Sequence, residues 1–259
     1  MNNPLASSGG VGFFSSHSRK NMNSDLEKIQ DLRSCSTITP NNKCKFPTDI
    51  RVINLENRAD RWEKFQEINK DLFSKFTVTR YNAKTEGKVV DAIFNSFTSC
   101  LEESFKSHET IIIMEDDCYL AHGGLEKLRS AFLDLPDDWD CLIGNHYFIS
   151  GIEILTDNLA KPKNQASTLN FAVFRNTIMD KIKSNLELRS DLLLDIDHFI
   201  TSEKIPINNY TVWPMISREY VSYSNHKNSV KDMTIRIREN AHLYQFVDSD
   251  TYYPSIPEW

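Results

Sequence analysis

The sequence predicts an α/β domain whose central sheet is mostly parallel and flanked by helices. Three observations carry that expectation. Short runs rich in β-branched residues alternate with longer runs whose apolar residues recur at helical spacing. One short run, TIIIM at 110–114, is apolar throughout, the composition of a strand covered on both faces. The totals are those of a globular protein, 40% hydrophobic and 25% charged over 259 residues, which suits one large domain or two small ones.

The elements follow in order. Residues 1 to 47 are rich in Ser, Asn and Gly and poor in large aliphatic side chains. They read as a flexible or loosely packed arm with one short helix at SDLEKIQDL, and the α/β domain runs from 48 to 259. DIRVINL (49–55) is a β-rich run. NRADRWEKFQEINKDLF (57–73) sets Trp62, Phe65, Ile68 and Leu72 on one helical face, with Asn57 as N-cap and Asp60 in the first turn. FTVTRYNA (76–83) is a second strand. VVDAIFNSFTSCLEESF (89–105) has helical spacing from Val90 to Phe105, and TIIIM is the buried strand. A helix (124–135), strands (139–148 and 167–175), helices (176–186 and 191–202) and a late strand (210–217) complete the alternation. The closing DSDTYYPSIPEW, with two prolines, reads as a non-helical tail.

Charge and cysteine content narrow the class. The net charge of -6, with both signs mixed along the chain, argues against a nucleic-acid or anionic-membrane binder. No apolar run approaches the roughly 20 residues that cross a bilayer. The first residues lack the basic start and apolar core of a signal peptide. Five cysteines, an odd number with no CxxC among them, read as thiols in a cytoplasmic or other reducing intracellular compartment. Cys100 and Cys141 fall in apolar patterns, and a Cys35–Cys44 pair stays open. There is no GxGxxG, P-loop, GxSxG or HExxH, which removes the dinucleotide, NTPase, hydrolase-elbow and zinc-protease signatures.

Chemistry concentrates where TIIIM ends. Glu115, Asp116 and Asp117 follow without a gap. In an open sheet, ligands sit outside the carboxyl ends of the strands. Adjacent carboxylates repel, and burial raises their pKa values unless a cation compensates; Mg²⁺ or Mn²⁺ suits oxygen ligands. Strand alternation predicts Glu115 and Asp117 on one side and Asp116 on the other. The alternative is a solvated turn that caps the next helix. PDDWD (136–140) is equally acidic, but Pro136 makes it a turn rather than a site.

These pieces stand in an order that resembles glycosyltransferase family 25, the lipopolysaccharide and procollagen galactosyltransferases. VINLENRADRWEKF (52–65) is similar to that family's opening strand and helix, with Asn54, Leu55, Arg58 and Arg61 at the matching places. The EDD at 115–117 follows, then Trp139, Asp140, Ile143 and Gly144, then LNFAVF, LLLDIDHF and VWPMISREYVSYSN, over about residues 50 to 228. The chain departs from the family in VVDAIFNSFTSC, which lacks the Gly-rich Ser-His carried there.

The resemblance implies a GT-A-like (Rossmann-like) single domain and a metal-dependent, inverting transfer of galactose or glucose from a UDP-sugar. The acceptor is a hydroxyl of a glycan, lipid-linked glycan or protein. It implies a metal held by Asp117 with Glu115 or Asp116 beside it, and a donor contacted by Asn54, Leu55, Arg58, Arg61, Glu115 and Asp116. His226 would be a further metal ligand, the alternative being a lone loop histidine with no role, and Lys227 beside it a diphosphate contact. For both arginines a solvent-facing helix surface is the alternative. An inverting transfer needs one base. Asp195 and Asp197 are the candidates, Asp197 preferred, and a helix first turn enriched in acids is the other explanation. Two competing functions remain: a non-catalytic glycan-binding module on the same fold, and a sugar nucleotidyltransferase.

Overall fold

The computed structural model describes residues 44–146, 151–163, 169–192, 194–220, 222–224 and 229–231, all within one compact unit, Cys35–Trp259. His226, Lys227, the closing tail and residues 1–43 of the predicted arm lie outside the described residues. From Cys44 the chain belongs to the domain: the Phe46 ring meets Phe132 edge-on at 5.3 Å.

An eight-stranded sheet forms the centre. In chain order its strands are β1 (Asp49–Asn54), β2 (Thr77–Asn82), β3 (Thr110–Glu115), β5 (Cys141–Ile143), β6 (Ile152–Ile154), β7 (Leu159–Pro162), β8 (Phe171–Arg175) and β9 (Asn209–Val212). They lie in the order β2-β1-β3-β8-β5-β9-β7-β6. β1 is parallel to β2 and β3, and β5 to β9; β8 and β7 run antiparallel to their neighbours. Six of the eight strands therefore share one direction, and β8 and β7 are reversed. The α/β domain is as the sequence predicts, with a sheet that is mixed in detail.

The apolar run in β3 is explained by two cores. Ile112 and Met114 face one cluster, with Ile50, Val52, Phe65, Leu128 and Val173. Ile111 and Ile113 face the other, with Phe97, Leu101, Phe174, Ile182 and Phe199. All four β3 side chains have no exposed surface, each worth roughly 1.5–3 kcal/mol of burial. Helices α1 (Ala59–Ile68), α2 (Lys70–Phe73) and α4 (Gly124–Leu133) cover the first face. Helices α3 (Val89–Ser104), α5 (Ile178–Ser184) and α7 (Ile196–Thr201) cover the second, and α6 (Leu186–Leu192) precedes α7.

Several boundaries differ from the sequence expectation, each for a local reason. The helix expected over 57–73 breaks at Asn69, whose Nδ2 donates to the Phe65 and Cys118 carbonyls while its Oδ1 accepts from Leu120 N–H. Those bonds tie the helix to β4 (Cys118–Leu120), a strand the sequence hides inside the acid turn. The N-cap is Arg58 rather than Asn57, with no side-chain capping bond. The helix expected over 191–202 is interrupted because Asp195 is extended (φ -70, ψ 175) and caps α7. The strand expected over 139–148 stops at Ile143. A Cβ at Gly144 would come within 2.8 Å of Phe171 and Ser217, so only glycine lets the chain pass there. The late strand ends at Val212, before a cis Trp213–Pro214 bond, and resumes as β10 (Ser217–Glu219), antiparallel to β4. β11 (Ser222–Ser224) and β12 (Ser229–Lys231) form a separate two-stranded hairpin.

Cys100, Cys118 and Cys141 are buried free thiols, and burial pushes all three above the usual thiol range. Among the described residues no helix is long and apolar enough to cross a membrane.

Candidate functional site

From β1 the chain passes first to β2 on one side and then to β3 on the other. Such a reversal opens a crevice at the carboxyl ends of the two diverging strands. Asn54 ends β1 and Glu115 ends β3, so both stand at its rim. The crevice is a cleft of about 380 Å³. Asn54, Leu55, Arg61, Glu115, Asp116, Asp117, Asp195 and Asp197 all line it. The loop after β2 adds Lys84, and Val90, Ile93 and Phe97 of α3 supply an apolar wall. Arg58 is not among the lining residues; its Nε and Nη2 each lie 2.9 Å from a carboxylate oxygen of Asp60.

The three acids do not alternate. The strand ends at Glu115, and Asp116 and Asp117 form the turn into β4, where strand periodicity no longer applies. Asp116 therefore does not turn away from Asp117. Nη2 of Arg61 lies 2.6 Å from Oδ1 of Asp116 and 2.8 Å from Oδ2 of Asp117. Asn54 Nδ2 donates to the other oxygen of Asp116, across the switch point. The same Nδ2 lies 3.1 Å from the Arg58 carbonyl, which fixes the amide. Both aspartates are more than nine-tenths buried.

Burial dominates the electrostatics. It pushes the Asp116 carboxyl up to about 6, with Asp117 adding to the rise and Arg61 and the Asn54 hydrogen bond opposing it. Burial disfavours the charged Arg61 guanidinium, but the charges of Asp117 and Asp116 outweigh it and hold Arg61 well above its usual value.

The donor set bears on a metal. Asp117 Oδ1 and Asn54 Oδ1 are buried and have no hydrogen-bond partner. Neutral and anionic oxygens are what Mg²⁺ or Mn²⁺ takes, so these atoms fit a hard cation. Among the described residues, however, no three His, Cys, Asp or Glu side chains converge as a ready-made metal centre. The guanidinium of Arg61 stands in the position that pairs the two aspartates.

The two late acids differ. Asp195 Oδ1 accepts from His198 N–H at 2.9 Å and pairs with His198 Nδ1 at 2.7 Å, so that oxygen is committed to capping α7. Asp197 lies in the first turn of α7.

The sequence concealed the groups that hold the acid turn from behind. Tyr220 O–H donates to the Asp116 carbonyl at 2.6 Å, and Tyr220 N–H donates to the Asp117 carbonyl at 2.9 Å. The Asn170 carbonyl accepts from Glu115 N–H at 2.8 Å. Ser217 Oγ lies 3.2 Å from Asn145 Oδ1 and 3.4 Å from Asn170 Oδ1, all three side chains fully buried. The visible signal was the polar interruption of apolar runs, in LIGN and LNF; for Tyr220 there was none.

No protein-family model matches the chain, and no curated protein does. Solved structures are distantly similar to the chain, two of them as follows. One is a glycosyltransferase involved in the glycosylation of the major capsid of PBCV-1, 13% identical with a TM-score of 0.40, the match covering 56% of this chain and 68% of that one. The other is A197 from STIV, 13% identical with a TM-score of 0.42, the match covering 71% of this chain and 93% of that one. At this identity the likeness is a distant one of chain fold.

Proposed function

We propose that the cleft binds a nucleoside diphosphate sugar and that the protein is a metal-dependent, inverting glycosyltransferase. It would move galactose or glucose from a UDP-sugar to a hydroxyl of a glycan, a lipid-linked glycan or a protein. The observation that supports this is the convergence of Asn54, Arg61, Glu115, Asp116, Asp117 and Asp197 on one cleft at the carboxyl ends of β1 and β3. The apolar wall of α3 suits a base, and the acid turn with Arg61 suits a diphosphate. Asp117, with Asp116 or Glu115 beside it, would hold Mn²⁺ or Mg²⁺, which offsets the charge that develops on the departing diphosphate. Arg61 supplies a permanent positive charge to the same cleft. Asn54 and Leu55 contact the nucleoside. Asp197 takes the proton of the acceptor hydroxyl, because Asp195 has an oxygen committed to the helix cap.

The test is UDP release from a panel of UDP-sugars, with and without Mn²⁺, for the full chain and for Asp117→Ala. Metal-dependent release by the full chain, lost in a folded Asp117→Ala, is the expected result. Turnover by Asp117→Ala at the normal rate would overturn the site assignment. UDP–Mn²⁺ binding without turnover on any acceptor would instead favour a glycan-binding module.

A further inference from the structure

We propose that Arg61 is an exchangeable counter-ion: it pairs with Asp116 and Asp117 until a divalent cation takes the carboxylates, and then turns to the nucleotide diphosphate. This rests on the function proposed above and adds a coupling between its two ligands. Three features of the cleft carry it.

Arg61 meets both acids through one nitrogen, Nη2. Its Nε is buried and has no hydrogen-bond partner. A guanidinium offers five N–H donors in a planar fork that matches carboxylate or phosphate two bonds at a time. An arginine built only to hold this acid pair would present that fork. Here both carboxylates are met by Nη2, and the buried Nε–H is left without an acceptor on a side chain that lines the cleft.

The acid pair is also incompletely served. Two carboxylates face one guanidinium, and Asp117 Oδ1, on a side chain more than nine-tenths buried, accepts nothing. A divalent cation bound there would satisfy that oxygen and neutralise both charges. The cation and the guanidinium repel each other at this range, so a bound cation weakens the hold of the pair on Arg61. The released Arg61 stays in the same cleft, where a diphosphate supplies the acceptors its fork requires.

The consequence is linkage. If the cation frees Arg61 for the diphosphate, each ligand tightens the other, and by the same factor. Arg61 then opposes the cation and favours the nucleotide, so its removal acts on the two with opposite signs. A purely structural arginine would, when removed, weaken both.

The experiment compares wild type with Arg61→Met, which keeps most of the side-chain volume. Mn²⁺ binding to the nucleotide-free chain is titrated at pH 8, and UDP binding is titrated at saturating Mn²⁺. Loss of one buried charge-assisted contact corresponds to about tenfold in affinity. The expected result is Mn²⁺ binding about tenfold tighter and UDP binding about tenfold weaker. Unchanged or weaker Mn²⁺ binding by a folded Arg61→Met overturns the exchange. Should that variant not fold, the Asp116→Asn/Asp117→Asn double variant asks the same question from the other side. It frees Arg61, so its UDP affinity without metal rises above that of wild type; no rise overturns the proposal. A wild-type chain that binds neither Mn²⁺ nor UDP removes the proposed function itself. A wild-type chain that binds both, with neither variant shifted as expected, removes only the exchange.

Discussion

The Tyr220 hydroxyl donates to the backbone carbonyl of Asp116 at 2.6 Å, joining residues that lie 104 positions apart. With Tyr220 N–H on the Asp117 carbonyl, it clamps the backbone of the acid turn at two successive residues. Tyr220→Phe keeps the ring and removes one buried hydrogen bond. The expected loss is about 1–2 kcal/mol of stability, read as a lowered melting temperature. The loosened turn should also weaken UDP–Mn²⁺ binding several-fold. A variant with an unchanged melt and unchanged binding would show that this clamp does not hold the acids.

Asp116 predicts a pH dependence. Burial, against the opposing effects of Arg61 and Asn54, raises its folded pKa to about 6 from 3.8. The folded chain therefore holds that proton more tightly than the unfolded chain. This contribution to stability is fully present below about pH 3.8 and is lost as pH rises through about 6. Its full size is about 3 kcal/mol at 1.36 kcal/mol per unit. In urea unfolding with a chelator present, Asp116→Asn should gain on wild type by an amount of that order between pH 4 and 7.5. A difference that stays flat across that window would rule out a raised Asp116.

Strands were legible in this sequence because a strand covered on both faces needs an unbroken apolar run, and Ile111 to Met114 supply one. The cleft was legible for the same reason: the polar residues that close β1 and β3, Asn54 and Glu115, mark the ends of the apolar runs. What stayed hidden depends on contacts between distant parts of the chain. Asn69 breaks a helix only because the Cys118 carbonyl and Leu120 N–H are there to meet it. The orientation of Asp116 follows from the turn into β4, a strand paired with β10 about a hundred residues later. Periodicity over 115–117 could not foresee that the strand stops at its first acid.

The two late acids should separate by experiment. Asn caps helices about as well as Asp, so Asp195→Asn should keep the α7 cap and full UDP–Mn²⁺ binding. Asp195→Ala removes the bond from His198 N–H and should cost about 1 kcal/mol of stability. Asp197→Asn should fold and bind UDP–Mn²⁺ normally while transfer to an acceptor falls by a factor of 10² or more, the low end for a lost general base being roughly 10². Transfer lost in Asp195→Asn and kept in Asp197→Asn would reverse the assignment of the base.

Acidity alone does not make a site here, as Asp140 shows from the opposite end of the sheet. It precedes β5, whereas the cleft lies at the carboxyl ends of β1 and β3. Asp140 is 1% exposed, and both its oxygens are served. Thr177 Oγ1 donates to Oδ1 at 2.7 Å, Asn208 N–H donates to Oδ2 at 2.7 Å, and Lys181 pairs with Oδ2. It ties the start of β5 to α5 and to the approach to β9. Asp140→Ala strands these donors and leaves Lys181 without its partner, so it should cost about 3 kcal/mol, discounted toward 2 for the partial exposure of Lys181. Its UDP–Mn²⁺ affinity should not change while the protein is folded. Asp117→Ala should behave the other way, with binding lost and the melt little changed. If the two variants showed the same pattern, the distinction between the structural acid and the site acid would fail.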